Sequence, residues 1–272
     1  MSERSAEIEL KLLIEAIYLR YGYDFRDYSL ASLRRRVTLA LQQMKCESAS
    51  QLQHRILYDA QLFMELLQYL TIPVSEMFRD PRYFAALREQ VFPLLRTYPS
   101  LKVWIAGCST GEEVYSLAIL LEEERLLDRT LLYATDINPR SLEQAQRGIF
   151  PVANVRKFTR NYQLAGGQRS FSEYYTAAYD SVILDKRLAE RVTFADHSLA
   201  TDSVFSEMHL ISCRNVLIYF NKPLQNRAFG LFHDSLCHRG FLGLGIKETV
   251  EFSAYASRFE PVARDERIFR KL

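Results

Sequence analysis

The stretch WIAGCSTGEEVYSLAI, residues 104–119, joins an apolar run to a turn with Gly107 and Gly111 and then to two adjacent carboxylates, Glu112 and Glu113. A strand, a tight turn and a helix in that order make a nucleotide site, because the first backbone N–H groups of a helix point at a ligand. Asp136 ends a second apolar run, TLLYATD, in the place where an acidic side chain takes the hydroxyls of a ribose. Asn215 and Tyr219 lie in CRNVLIYF, just past a later apolar run. The glycines and Asp136 alone would suit a dinucleotide. Two carboxylates at the turn would repel a pyrophosphate and favour an adenosine ligand that has no phosphate and carries positive charge. S-adenosylmethionine, with its ammonium and sulfonium, is such a ligand. The competing reading is that Glu112 and Glu113 only complement the helix dipole. Asp136 and the strand end at Asn215 weigh against it.

The elements that must position these residues follow from periodicity. Residues 101–107, 130–136, 191–196, 208–215, 240–245 and the terminal ERIFRKL read as strands, with helices after the first two and near 223–237. Alternation of this kind predicts an α/β fold with a parallel sheet, whose ligands sit beyond the carboxyl ends of the strands. Residues 6–70 read as helices only: Leu10, Leu13, Ile14 and Ile17 recur at helical spacing up to Gly22, and Ser29 can cap a second helix lined by Leu30, Leu33, Val37, Leu41 and Met44. Arg34, Arg35 and Arg36 are expected to point away from that stripe. TIPVSEMFRDPRYF breaks the pattern and leads into a helix over 82–95, with Pro81 able to open it. The domains expected are therefore 1–70, helical; 71–85, a linker contributing to the site; and 86–272, the α/β domain, with an insertion of about 156–190 where the strand–helix pattern is lost.

Composition excludes several classes. The net charge of +2 predicts no nucleic-acid partner on charge alone. The N-terminus MSERSAEIEL lacks an apolar signal-peptide core, and no apolar run is long enough to span a bilayer, so a cytoplasmic protein is expected. Cys46, Cys108, Cys213 and Cys237 form no CxxC pair, and the histidines have no partner at ligand spacing, so no metal is expected. His233 and His238 are placed on one helix but off a common face. Cys108 reads as a packed thiol rather than a nucleophile.

The strings VWIAGCSTGEEVYSLAILL, ATDINPRSLEQAQRGIF and ISCRNVLIYFNKPLQNR, in this order, resemble the CheR family of chemotaxis receptor methyltransferases, and EMFRDPRYF resembles that family's FFRD/E segment. The resemblance spans nearly the whole chain. It implies a class I S-adenosylmethionine-dependent methyltransferase sheet of seven strands, an N-terminal all-helical domain and a small inserted β-subdomain. It implies cofactor contacts from Ser75, Arg79, Glu113, Asp136, Ser198, Leu199, Arg214 and Asn215, with Arg79 and Tyr219 at the reacting centre and S-adenosylhomocysteine as the product. The implied partner is the cytoplasmic helical bundle of a methyl-accepting chemoreceptor, met by Arg34, Arg35 and Arg36, and the implied reaction makes glutamyl methyl esters. A monomer is expected. A non-catalytic cofactor-binding module, or a methyltransferase acting on another protein, is the alternative. The chain departs from the family pattern at three places: Pro73 and Ser75 stand where many members have Asn-x-Thr, Ser198 replaces a commoner Asn, and Gly245-Ile246-Lys247-Glu248 replaces Gly-His-Ser-Glu. The insertion is longer than in members that dock a receptor-tail peptide, and no such tether is expected.

Overall fold

The computed structural model describes residues 3–71 and 73–272, and the chain divides into two compact units. The first comprises Met1–Ile72, Leu199–Asp202 and Tyr219–Ala228. It holds α1 (Glu3–Tyr21), α2 (Leu30–Gln43), α3 (Ala49–Tyr58) and α4 (Ala60–Thr71). The apolar spacing explains the packing. Leu10, Leu13, Ile14 and Ile17 of α1 are buried, as are Leu33, Val37 and Ala40 of α2 and Leu66, Leu67 and Leu70 of α4. Gly22, at φ 79°, ends α1. Ser48 caps α3 by accepting from the Gln51 N–H, whereas Ser29 caps α2 without a side-chain bond. Tyr21 stacks on Phe63 with ring centroids 3.9 Å apart.

The second unit comprises Pro73–Ser198, Ser203–Ile218 and Phe229–Leu272. It opens with α5 (Pro81–Ala86), a π turn at Leu87–Val91 and α6 (Phe92–Leu95), so the single helix expected over 82–95 has a widened middle turn. Its sheet runs β6-β2-β1-β7-β8-β10-β9. The strands are β1 (Leu101–Ala106), β2 (Thr130–Asp136), β6 (Val192–Asp196), β7 (Met208–Cys213), β8 (Leu236–Leu244), β9 (Phe259–Ala263) and β10 (Ile268–Lys271). The first five are parallel and β10 is antiparallel to both neighbours. Central β1 is buried almost throughout, as a parallel strand covered on both faces must be. From β1 the chain builds outward through β2 to β6, then returns to lay β7 on the other side of β1. That reversal opens a crevice at the carboxyl ends of β1 and β7. The helices α7 (Glu112–Glu123) and α8 (Pro139–Arg147) follow β1 and β2, and α10 (Lys222–Ser235) follows β7. His238 lies on β8, not on the helix expected to carry both it and His233. Strand β9 carries no alternation that marks it in sequence.

The insertion is a three-stranded antiparallel sheet, order β3-β5-β4, from β3 (Ile149–Pro151), β4 (Tyr175–Ala178) and β5 (Ser181–Leu184), with α9 (Val155–Leu164) between β3 and β4. It starts at Ile149, ahead of the boundary expected near 156, because β3 pairs with β5 across the whole insertion. Glu123, at the end of α7, ties it down. The carboxylate, whose side chain is fully buried, accepts from the Tyr174 hydroxyl at 3.0 Å, the Gln168 N–H at 3.0 Å and the Tyr162 hydroxyl, and pairs with Arg88. Burial would raise its pKa, but the bonds from Tyr162, Arg88 and Gln168 outweigh burial and hold it below the ordinary glutamate value. Among the described residues no helix is long and apolar enough to cross a membrane.

A lowered folded-state pKa means that this carboxylate stabilises the fold fully above the unfolded glutamate range, and that the contribution is lost as pH falls through the folded value. Removing it leaves Arg88 with Glu124 as its remaining carboxylate and strands the buried Tyr162 and Tyr174 hydroxyls. Glu123→Ala is therefore expected to lose about 3–5 kcal/mol in denaturant unfolding at pH 7. The gap from wild type should narrow steadily towards acid pH; a loss under about 1 kcal/mol, or a gap that widens in acid, would contradict this assignment.

Candidate active site

The turn after β1 is shaped by two glycines that no other residue can replace. Gly107 sits at φ 78°, and a Cβ there would lie 2.5 Å from Val216 Cγ2. Gly111 sits at φ 95°, where a Cβ would lie 2.8 Å from the backbone of Ala145. The N–H groups of Gly107 and Cys108 both donate to the Thr135 carbonyl at 2.8 Å, which seats the turn on the end of β2. Ser109, at φ 51°, then donates its N–H to Asp136 Oδ2 at 2.9 Å, while Asn138 donates to Oδ1 at 2.9 Å. Each Asp136 oxygen is thus oriented by one backbone donor and keeps lone pairs for the paired hydroxyls of a ribose. Burial pushes its pKa up, against those N–H bonds. Cys108 is buried and its thiol is pushed well above the ordinary value by burial, as a packed thiol and not a nucleophile would be.

The two adjacent glutamates have different environments. Glu112 is buried, accepts from Thr110 Oγ1 at 2.6 Å and from the Ser75 hydroxyl, and has its pKa raised by burial. Its bonds stay inside the protein. Glu113 accepts from Ser212 Oγ at 2.6 Å and from Arg214 Nη1 at 3.0 Å. The Tyr83 hydroxyl donates to Ser212 in turn, at 2.8 Å.

Arg214 is the hub. Its side chain is 1 % exposed and its Nη2 donates to Asp80 at 2.9 Å and to the Arg79 carbonyl at 2.7 Å. The guanidinium carbon lies 4.2 Å from the Tyr83 ring centroid. Acid and base alternate here: Glu113, Arg214, Asp80. Arg79 itself has no acid partner among the described residues, because Asp80 is taken by Arg214 and Glu76 by Lys157. Four non-glycine residues with left-handed backbone belong to the segments that build this crevice: Phe78, Asp80, Ser109 and Asn215. Each such residue costs about 1–3 kcal/mol, and they gather where geometry is dictated by function.

This arrangement fits S-adenosylmethionine on the chemistry of its donors. An amino-acid zwitterion needs an anion and a cation, and a ribose needs an acceptor; Glu113, Arg79 and Asp136 are residues of the right chemistry for these. Ser109 Oγ and Arg214 Nε, both buried, have no partner of their own. Ser75 is spent on Glu112, and Ser198 follows the end of β6.

Leu199, Tyr219 and the three arginines fall in the helical unit. Arg34 and Arg35 are exposed, but Arg36 is not on their face: it is 3 % exposed, donates to the Leu70 carbonyl and lies 4.1 Å from the Tyr219 ring centroid. The expectation that all three point to solvent is corrected for Arg36. A residue two positions after Arg34 falls about 200° round the helix, back towards Leu33 and Val37. Tyr219 is fixed by that cation–π contact and by its carbonyl, which accepts from the Ser29 N–H at 2.7 Å. Sequence reasoning passed over Asp80, Tyr83 and Ser212. Ser212 carried a signal: it is a hydroxyl near the carboxyl end of a mostly apolar strand. Among the described residues no three His, Cys, Asp or Glu side chains converge as a metal site would need.

Comparison with known proteins matches this architecture. Residues 73–267 match the family model of the CheR methyltransferase SAM binding domain, and residues 8–71 that of the CheR methyltransferase all-alpha domain. A protein of Pseudomonas putida named "Putative methyltransferase Cher3" is 67 % identical over 270 residues, 99 % of each chain. A chemotaxis protein methyltransferase of Listeria innocua is 31 % identical over 231 residues, 84 % of this chain and 85 % of that one. One of Klebsiella aerogenes is 32 % identical over 202 residues, 72 % of this chain and 63 % of that one. With a helical unit, a seven-stranded sheet and a crevice of alternating charge in the matched order, this chain belongs to the CheR methyltransferase family.

Proposed function

We propose that the protein transfers a methyl group from S-adenosylmethionine to glutamate side chains on the cytoplasmic helical region of a chemoreceptor, forming glutamyl methyl esters. The observation that carries this reading is the Glu113–Arg214–Asp80 series, which also holds the carbonyl of Arg79, a residue with no acid partner among the described residues, with Asp136 at the next strand end. Bound S-adenosylmethionine would supply a methyl carbon on a cationic sulfur, so that a carboxylate oxygen forms the O–C bond while the C–S electron pair returns to sulfur. A glutamate carboxylate, with a pKa of about 4.3, is already ionised at neutral pH and needs no general base. The protein's task is orientation. Glu113 and Arg79 would hold the zwitterionic end, Asp136 the ribose, and Asn215 and Arg214 the far wall, with Ser75, Ser198 and Leu199 at the margins. Tyr219 is assigned to the reacting centre, its ring held by Arg36. Arg34 and Arg35, exposed on α2, would meet the acidic acceptor helix, and that contact would weaken with salt.

The decisive assay is transfer of labelled methyl to receptor-containing membranes, followed by mild base. Label released as volatile methanol is the expected result. Base-stable label means another acceptor atom, and no label with cofactor still bound means a binding module. Two substitutions test the residue roles. Asp136→Asn puts an amide N–H against a backbone donor and is expected to weaken S-adenosylhomocysteine binding by about tenfold or more in calorimetry, an unsatisfied buried donor costing ~1–3 kcal/mol. Arg79→Ala is expected to lower methyl transfer at least as strongly. Wild-type binding in the first, or wild-type transfer and affinity in the second, would remove that residue from the site.

A further inference from the structure

Glu248 belongs to none of the residues the sequence suggests, yet it is one of the most fully bonded carboxylates in the α/β unit. It is 5 % exposed. Its Oε2 accepts from the Asn215 N–H at 2.8 Å and the Gly245 N–H at 2.7 Å, and Oε1 from the Ile218 N–H at 3.2 Å. The Leu217 N–H is a further donor. Three of these four donors lie in the turn that leaves β7 and carries Asn215. Asn215 itself has φ 61°, a backbone state that needs outside support in a residue other than glycine. Gly245 is small of necessity: a Cβ there would lie 2.6 Å from Glu248 Oε2 and 2.8 Å from Asn215 N and Nδ2. A desolvated carboxylate surrounded by backbone donors is costly unless the donors are its purpose.

The geometry points to Glu248 as a positioning residue: its carboxylate gathers the backbone of residues 215–218 and so sets the side chain of Asn215 at the edge of the cofactor crevice. This inference rests on the S-adenosylmethionine site proposed above. It also explains why glutamate persists in Gly-Ile-Lys-Glu although Ile246 and Lys247 differ from the family pattern. Of the four residues, Glu248 bonds the Asn215 N–H, and Gly245 is where a Cβ would strike Asn215.

Calorimetric titration of the full chain with S-adenosylhomocysteine, beside thermal unfolding, tests it. Glu248→Gln turns one acceptor into a donor facing N–H groups, and about a tenfold loss of affinity is expected. Gly245→Ala intrudes on the same contact while keeping the carboxylate, and should give a similar loss, which decides the matter if Glu248→Gln does not fold. In an Asn215→Ala background, Glu248→Gln should change affinity less than about twofold, because a residue acting through Asn215 has nothing left to position. A merely structural Glu248 would lower the unfolding midpoint and leave affinity unchanged. Affinity within twofold of wild type in both variants, or an undiminished loss in the Asn215→Ala background, overturns the inference while the proposed function stands. Failure of the wild type itself to bind overturns both.

Discussion

The site depends on one desolvated ion pair. Arg214, at the end of β7, must neutralise Glu113 at the start of α7, and with the same guanidinium it holds Asp80 and the Arg79 carbonyl. Strand, helix and the segment before α5 are thereby locked to a single cation. Such a pair is weak as a source of stability, since desolvation offsets much of the Coulomb gain, but breaking it strands a buried charge at a cost of about 3–5 kcal/mol. Arginine suits the position because its planar fork donates in several directions while its face stacks on Tyr83. The result is a rigid wall that includes the Arg79 backbone, and among the described residues Arg79 has no acid partner.

Around that pair the protein uses one functional group in several ways, and the surroundings decide which. Glu112 is turned inward and its pKa raised by burial; Asp136 is oriented by two backbone donors; Glu123 staples the insertion; Glu248 gathers a turn. Glu113, like Asp80, is paired with Arg214 at the crevice. The doubled carboxylate of the opening turn is therefore a division of labour: the first residue bonds to Thr110 and Ser75, and the second to Ser212 and Arg214.

Much of this was legible in the chain. The switch from helical spacing to alternating strands and helices marked the two units, and the turn with Gly107 and Gly111 marked the crevice, because positive φ and close approach leave only glycine. Long-range partnership was not legible. Nothing local says that Arg214 pairs with Glu113 across 101 positions, or that Glu248 reaches Asn215 across 33. Strand β9 was missed for a related reason: its pairing lies outside its own sequence, in the neighbour β10 that supplies the register. Arg36 was misplaced because a run of three arginines was read as one face, although three consecutive helical residues cannot share one.

The central claim is that alternating charge at the strand ends, with Asp136 beside it, forms an S-adenosylmethionine site. A crystal structure with S-adenosylhomocysteine bound tests it most directly. The account predicts the ribose hydroxyls on Asp136, the ammonium at Glu113 and the carboxylate at Arg79. A ribose away from Asp136, or an amino-acid end that contacts neither Glu113 nor Arg79, would contradict it.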